Sequence, residues 1–535
     1  MMNVLKHPSF FRPISRPTSP APVATPYAPE PSLGFDRTPR PLNKLSLSNF
    51  RRPSPAPGAN HTPTPTPLIQ DGSYLEMLSL KLSEAISKAL AQPTGPAAAN
   101  EQVSGRRPIP QGRGRALGAL IASEFKATQD SPHLQRAILR TLHRPLSVLL
   151  TNLSAHLLPL ISSPAFKLPP SPTVQAPNPN PTQLHALAIA TFSGELLETF
   201  DLLDLGVDSD IRGDGLKQIR EGLVSLINRV VGPLVAGIRV ELIPLLEALE
   251  TPNTITTSKV APGVRTSGVQ YHPSIVTLQT VMPVYGRALA RYTTSTVSQT
   301  ILATFLISVV WRGLVALAHR PYLPPSPPSS PGLLPLAIKK SRSSSTPPLT
   351  PPAGRFAIKL PPSRPPSPPP AVVPATTAAD ARALYDLFKL LPCPPTDKEA
   401  TRLAREVVDD ALEGLKALPP LLDAVHALTF TRSDKSVKDL AQELELLATE
   451  VPLLIALPIL LHAHVHGGSG TTFVADMLGL SEEEYRTECL FGFGRAEECA
   501  TPVALRVMDV LRANPESNPI VCKWLDMEIA EALGQ

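Results

Sequence analysis

The segment SQTILATFLISVVWRGLVALAH, residues 298–319, is the longest apolar stretch of the chain and decides the fold class. Its small polar residues Thr300, Thr304 and Ser308 recur every fourth position, which is the spacing of one helix face. Phe305 and other large apolar residues fall broadly on the opposite side. The pattern therefore predicts a helix with a wide apolar face and a narrow stripe of small polar side chains.

A helix of this length and hydropathy suits either a buried core or a membrane, which needs about 20 mostly apolar residues. Arg312 lies two-thirds of the way along it, and the small polar stripe suits close packing against another helix. We therefore expect a core helix and keep a membrane anchor at 298–319 as the alternative. No second apolar span is apparent, which argues against a multi-pass transporter.

Helical periodicity also dominates the rest of residues 70–320 and 381–535, where alternating strand patterns hardly occur. We therefore predict an all-α protein with two helical domains over these ranges. Breaks between helices are expected at Pro145, Pro233 and Pro419, because proline lacks an N–H and clashes with the preceding turn.

Four short elements place a proline ahead of a pair of leucines: LLPLI (157–161), LIPLLEAL (242–249), PPLLDAV (419–425) and VPLLIAL (451–457). This element resembles HEAT-type helical repeats, in which a proline in the first turn starts a helix whose leucine face is buried. The spacing between the four elements is irregular. Each predicted domain is therefore either a bundle or a HEAT-like irregular solenoid.

Residues 1–69 and 321–380 are rich in Pro, Ser, Thr and Ala and poor in large apolar residues. Such segments bury too little surface to offset chain entropy, so we expect a disordered tail and a disordered linker. The tail carries eight Lys and Arg against two Asp and Glu (net +6), and the linker six against one (net +5). Residues 381–535 carry 14 against 25 (net −11). The basic segments are thus suited to docking on the acidic domain, on nucleic acid or on anionic lipid.

Proline-directed phosphorylation is the strongest functional signal, with seven Ser/Thr-Pro pairs in 1–69 and five in 321–380. Each phosphate adds about −1.5 to −2 charges, so a few of them neutralise a basic segment. SRPPSPPP (363–370) and RPYLPPSPP (320–328) favour polyproline II helices, the shape that SH3 and WW modules bind. No block combines dense basic residues with aromatics, which argues against specific nucleic-acid binding. The leading phosphorylation candidates are Ser19, Thr38, Ser54, Thr62, Ser326, Thr346, Thr350 and Ser367.

The stretch HAHVHGGSGTT (462–472) is the part of the chain most suggestive of chemistry. On a strand, His462, His464 and His466 share one side and suit a metal, whereas on a helix only the first and last share a face. Periodicity does not decide between strand and helix for 451–466. No Lys follows the glycines as a phosphate-binding loop requires, and no G-x-S-x-G elbow follows as in lipase-like hydrolases.

Together these features predict an intracellular regulatory scaffold or adaptor, without a cofactor, in the cytoplasm or the nucleus. Its helical surfaces bind other proteins, with SH3 or WW modules and proline-directed kinases as expected partners of the tails. The start of the chain lacks a secretory apolar run, and four cysteines do not make a disulfide framework. The two alternatives are a membrane-associated protein and a metal-dependent enzyme that uses the three histidines.

Overall fold

The computed structural model describes residues 68–96, 102–207, 215–252, 271–321, 375–430, 436–464, 474–514 and 518–534. These residues confirm the all-α prediction: they contain helices and no strand, apart from one isolated bridge in a turn. The chain before residue 68 lies outside this part of the structure. Most of the segments predicted to be disordered therefore lie outside the described residues.

The helices of the first half are α1 (Leu68–Leu90), α2 (Arg113–Ala127), α3 (Pro132–Ser162), α4 (Pro164–Lys167), α5 (Pro181–Leu202), α6 (Leu216–Glu247), α7 (Pro273–Tyr292) and α8 (Thr296–Ala318). A 3₁₀ turn (Ala248–Glu250) follows α6. The helices of the second half are α9 (Thr377–Phe388), α10 (Glu399–Phe430), α11 (Val437–Ala448), α12 (Leu453–His464), α13 (Val474–Leu478), α14 (Glu482–Glu488), α15 (Phe493–Ala513) and α16 (Pro519–Ala532).

Three predicted helix breaks are wrong, because α3, α6 and α10 continue through Pro145, Pro233 and Pro419. An interior proline costs a helix about 3 kcal/mol. The apolar face is continuous across each proline, however: Leu142 and Leu146 are both fully buried on either side of Pro145. Burying two leucines contributes roughly 3–6 kcal/mol, which outweighs the lost hydrogen bond.

The continuity of these helices through proline also removes the reason to expect a HEAT-like arrangement. Pro159, Pro244 and Pro419 lie inside helices, and only Pro452 comes directly before the start of one. In this chain the proline–leucine element therefore does not mark repeat boundaries.

Helix α8 is the centre of the described fold, in agreement with the predicted core helix. It packs most extensively against α6 and α10, and it also contacts α5, α9 and α12. Leu302, Val309 and Leu314 are fully buried. The small polar stripe is the exception: Thr300 and Thr304 are exposed, so the stripe faces solvent rather than another helix as we expected.

The expectation of a single apolar span is also wrong. By length and composition alone, three of the described helices are long and apolar enough to cross a membrane: α3, α6 extended to Glu250, and α8. The burial of these helices differs, with α8 the most enclosed by the protein's own helices. The apolar surface of α8 is thus largely covered by neighbouring helices of this chain.

Trp311 fixes α8 to the second half of the chain. Its indole Nε1–H donates to the Leu490 carbonyl at 2.8 Å, and its ring lies 4.6 Å from the ring of Phe493, centroid to centroid. Nearby, the guanidinium of Arg486 on α14 donates to both carboxylate oxygens of Glu250, at 2.9 and 2.6 Å. These contacts join segments that lie more than 170 residues apart in sequence.

A buried ion pair closes the end of α8. Arg320 Nη1 donates to Asp380 Oδ2 at 2.7 Å, and both side chains are almost completely buried, with 4% and 0% exposed. Asp380 Oδ1 accepts the backbone N–H of His272 at 3.1 Å, and Arg320 Nε donates to the Thr251 carbonyl at 3.3 Å. The pair therefore holds four separate stretches of chain at one point.

The position of Asp380 also differs from the predicted C-terminal boundary of the linker. It lies in the first turn of α9, capped by the Thr376 side chain, so the last residues of the predicted linker 321–380 are helical. Helices before Pro321 and after Ala375 belong to one compact unit, 67–535. Independent folding of 70–320 and 381–535 as two domains stays a prediction.

We expect Asp380→Asn to destabilise the protein strongly, because the guanidinium of Arg320 then stays buried without a counter-ion. Removing one partner of a buried pair costs about 3–5 kcal/mol. Urea unfolding of the full-length chain, followed by circular dichroism, measures the change.

The matched control is Asp526→Asn, which breaks an equally short pair with Arg512 (2.6 Å) whose side chains are 41% and 61% exposed. An exposed pair contributes less than about 1 kcal/mol. Equal, small losses of stability in the two variants would contradict a structural role for the buried pair.

Candidate functional site: an acidic groove in the second half

A groove of about 570 Å³ opens between five helices of the second half. Its walls come from α10, α15 and α16, and its end is formed by the turn that joins α11 to α12. Gly414 on α10 allows this turn to come close, because a Cβ at that position would lie 3.2 Å from the Glu450 carbonyl oxygen. The volume lies in the range of about 300–1,000 Å³ that is usual for ligand pockets.

All ionisable side chains that line the groove are acidic. Among the described residues that form its lining, none is Lys, Arg or His. The carboxylates come from α10, α11, the following turn, α15 and α16: Asp410, Glu445, Glu450, Glu497, Glu528 and Glu531. Clefts lined by one sign of charge focus the field and attract ligands of the opposite sign.

Between the carboxylates the groove is apolar and lined by small residues. Ala411, Ala448, Ala496 and Ala504 lie along its helices, which leaves room for a ligand's side chains. The apolar surface continues along α10 from Val407, which lines the edge of the groove and is 42% exposed, to Leu403, one turn further out and 71% exposed. Exposed large apolar side chains beside a cleft are typical of binding surfaces.

Burial and neighbouring negative charges together change the pKa of one groove carboxylate. The pKa of Glu528 is raised above its ordinary value by burial, and further by the negative charges of Glu531 and Glu445. A cation bound here favours the ionised form of Glu528 and thereby relieves the repulsion. The groove is therefore built to accept positive charge together with apolar groups.

The histidines do not form the arrangement that a strand would give. Residues 453–464 are the helix α12, in which positions 462 and 464 are about 200° apart around the helix axis instead of on one side as in a strand. His462 is half-buried, and His466 lies outside the described residues. Within the described ranges, no group of three His, Cys, Asp or Glu side chains is placed to hold a metal ion.

The structure does not describe any of the predicted phosphorylation sites. Ser19, Thr38, Ser54 and Thr62 precede residue 68, and Ser326, Thr346, Thr350 and Ser367 lie within 322–374. They remain predictions.

The acidic charge of the groove was predictable from the sequence, but the groove itself was not. The net charge of −11 over 381–535 indicated an acidic surface, but the six carboxylates are separated by up to 121 positions in the chain. Only the packing of the five helices brings them to one cleft.

No known protein family, curated protein or solved structure matches this chain.

We expect Glu531→Gln to lower the pKa of Glu528, because it removes a neighbouring negative charge that raises this pKa. Glu445→Gln changes it in the same direction. NMR titration of the protein labelled with ¹³C at the glutamate carboxyls measures the value. Glu483→Gln, on the exposed surface of α14, is the control and leaves it unchanged. An unaltered Glu528 pKa in the groove variants would contradict the proximity of these carboxylates.

Proposed function

We propose that the protein is a regulatory scaffold or adaptor whose acidic groove binds a basic segment of a partner protein. The supporting observation is the combination of six carboxylates, small apolar residues and no basic side chain among the described residues of the groove lining. The expected ligand therefore carries several Lys or Arg side chains together with large apolar ones. A helix or an extended segment laid into a groove is a common mode of peptide recognition.

A protein segment suits this groove better than a compact ligand does. The carboxylates are distributed over four helices and the turn between α11 and α12, and exposed Leu403 continues the apolar surface beyond Val407 at the edge of the cleft. An elongated ligand uses the whole of this surface, whereas a small molecule occupies one end.

The basic segments of the chain itself offer a means of regulation. Residues 336–359, LAIKKSRSSSTPPLTPPAGRFAIK, carry a net charge of +5 together with Leu336 and Phe356, and contain Thr346-Pro and Thr350-Pro. This segment has the composition expected of the groove ligand, so it competes with the partner. Proline-directed phosphorylation lowers its charge and frees the groove.

The other predicted properties are part of the same proposal. SH3 or WW modules bind the proline-rich stretches, and the protein acts in the cytoplasm or the nucleus without enzymatic activity of its own. The burial of α8 among the protein's own helices favours this proposal over a membrane anchor.

The first test reverses the groove charge. We expect Glu450→Lys/Glu497→Lys to weaken binding of a fluorescent 336–359 peptide to the full-length chain at least tenfold, or about 1.4 kcal/mol. Fluorescence anisotropy at low and moderate salt measures the affinity, which also falls as salt screens the charges.

The control, Glu76→Lys/Glu483→Lys, changes the net charge of the protein by the same amount at exposed positions outside the groove. It is expected to retain near-normal affinity. Equal weakening by both double variants would show attraction by overall charge and would refute the groove as the binding site.

The second test concerns regulation. A 336–359 peptide phosphorylated at Thr346 and Thr350 has its charge reduced from +5 to about +1 to +2. We expect it to bind at least tenfold more weakly than the unmodified peptide. Treating the full-length chain with a proline-directed kinase should, in turn, increase its affinity for the unmodified peptide. Unchanged affinity in both measurements would refute the phosphorylation switch while leaving the groove proposal intact.

A further inference from the structure

A second cavity, in the first half of the chain, has the opposite charge. It encloses about 600 Å³ between the loop before α2, the end of α3 and the beginning of α5. The ionisable side chains that line it are Arg106, Arg107, His156 and His185, and no Asp or Glu lines it within the described part of the chain. A concave site that gathers only basic groups favours an anionic ligand.

A tight turn holds Arg106 at the mouth of this cavity. The backbone N–H groups of Val103 and Arg106 each donate to the other's carbonyl at 3.0 Å. Ser104 and Gly105, the two residues between them, have φ values of 52° and 74°, in the left-handed region. A two-residue turn with this pair of reciprocal hydrogen bonds requires positive φ at both central residues, so the turn itself accounts for the conformation of Ser104 and fixes the position of Arg106.

Arg106 faces a histidine instead of a carboxylate. Its Nη1 donates to His156 Nε2 at 2.6 Å, which requires that nitrogen to be unprotonated. Burial and the charge of Arg106 both lower the pKa of His156. Two basic groups thus share one hydrogen bond, with no negative charge among the described cavity residues to balance them.

The two arginines have different roles. The backbone N–H of Arg107 donates to Gln92 Oε1 at 2.9 Å, and its Nη1 donates to the carbonyls of Pro93 and Gly95. Arg107 therefore fixes the loop against the end of α1. The exposed guanidinium of Arg106 contacts only His156 among the described residues, which leaves its other N–H groups available for a ligand.

The remainder of the cavity is partly polar and partly apolar. Thr182 and His185, in the first turns of α5, are more than nine-tenths buried at its base, beside the buried Ile189. The Glu195 carboxylate, further along α5, accepts the N–H groups of Gly112 and Gly114 at 2.7 and 3.0 Å, which anchors the loop. The site is thus held by α1 at one end of the loop and by α5 at the other.

We propose that this cavity binds a small organic phosphate monoester. The guanidinium of Arg106 matches the oxygens of a phosphate with paired hydrogen bonds. A phosphate that replaces the Arg106–His156 contact stabilises the protonated imidazole, so His156 becomes a second cationic donor. The apolar residues of the cavity then contact the organic part, since the volume exceeds that of a bare phosphate ion.

Calorimetric titration of the full-length protein tests the proposal with three probes: phenyl phosphate, inorganic phosphate and benzoate. We expect phenyl phosphate to bind most tightly, because only it supplies both a dianion and an apolar group. Arg106→Gln and His156→Gln should each weaken its binding at least tenfold. Arg136→Gln, an exposed arginine on α3 outside the cavity, is the control and leaves it unchanged.

A spectroscopic measurement keeps the test independent of variant folding. Sulfate does not titrate near neutral pH, and in the unmodified protein we expect it to raise the pKa of His156, followed by NMR of the imidazole. No effect of sulfate on the pKa of His156, or equal loss of affinity in the Arg136 control, would overturn the proposal.

Binding of a single-stranded oligonucleotide that depends on Arg106, without binding of phenyl phosphate, would overturn the proposal in favour of nucleic acid. All of these outcomes are independent of the acidic groove.

Discussion

The ion pair between Arg320 and Asp380 is the constraint on which the rest of the described structure depends. Two charges are removed from water, and each is stabilised chiefly by the other and by backbone groups of His272 and Thr251. The desolvation penalty offsets much of the attraction within a buried pair, whereas removal of one partner leaves a buried charge without a counter-ion. In this protein the ion pair places the beginning of α9 beside the end of α8. The second half of the chain therefore starts at a defined point against the first half.

The groove depends on this placement. With α9 fixed, α10 packs along α8, while Trp311 holds the loop between α14 and α15 through Leu490 and Phe493. Phe493 also lines the groove, and α10 forms one of its walls. The core that joins the two halves therefore also shapes the acidic cleft.

Most of the secondary structure was predictable, because helix formation depends on local periodicity and the chain has few competing strand patterns. The errors have two physical causes. Interior prolines were expected to end helices, but burial of leucines on both sides of Pro145 outweighs the local cost. The end of the linker was assigned by composition, yet Asp380 lies in a helix where it pairs with an arginine 60 positions away. The groove and the basic cavity were not predictable, since each collects side chains from helices far apart in sequence.

The central claim is that the cleft between α10, α15 and α16 binds basic segments of proteins. Hydrogen–deuterium exchange of the full-length chain, with and without the 336–359 peptide, tests it most directly because it locates the contact without any substitution. The account predicts slower exchange in α10, in the turn before α12, and in α15 and α16, with α1 to α3 unchanged. Protection confined to the first half of the chain, or none at all, would contradict it.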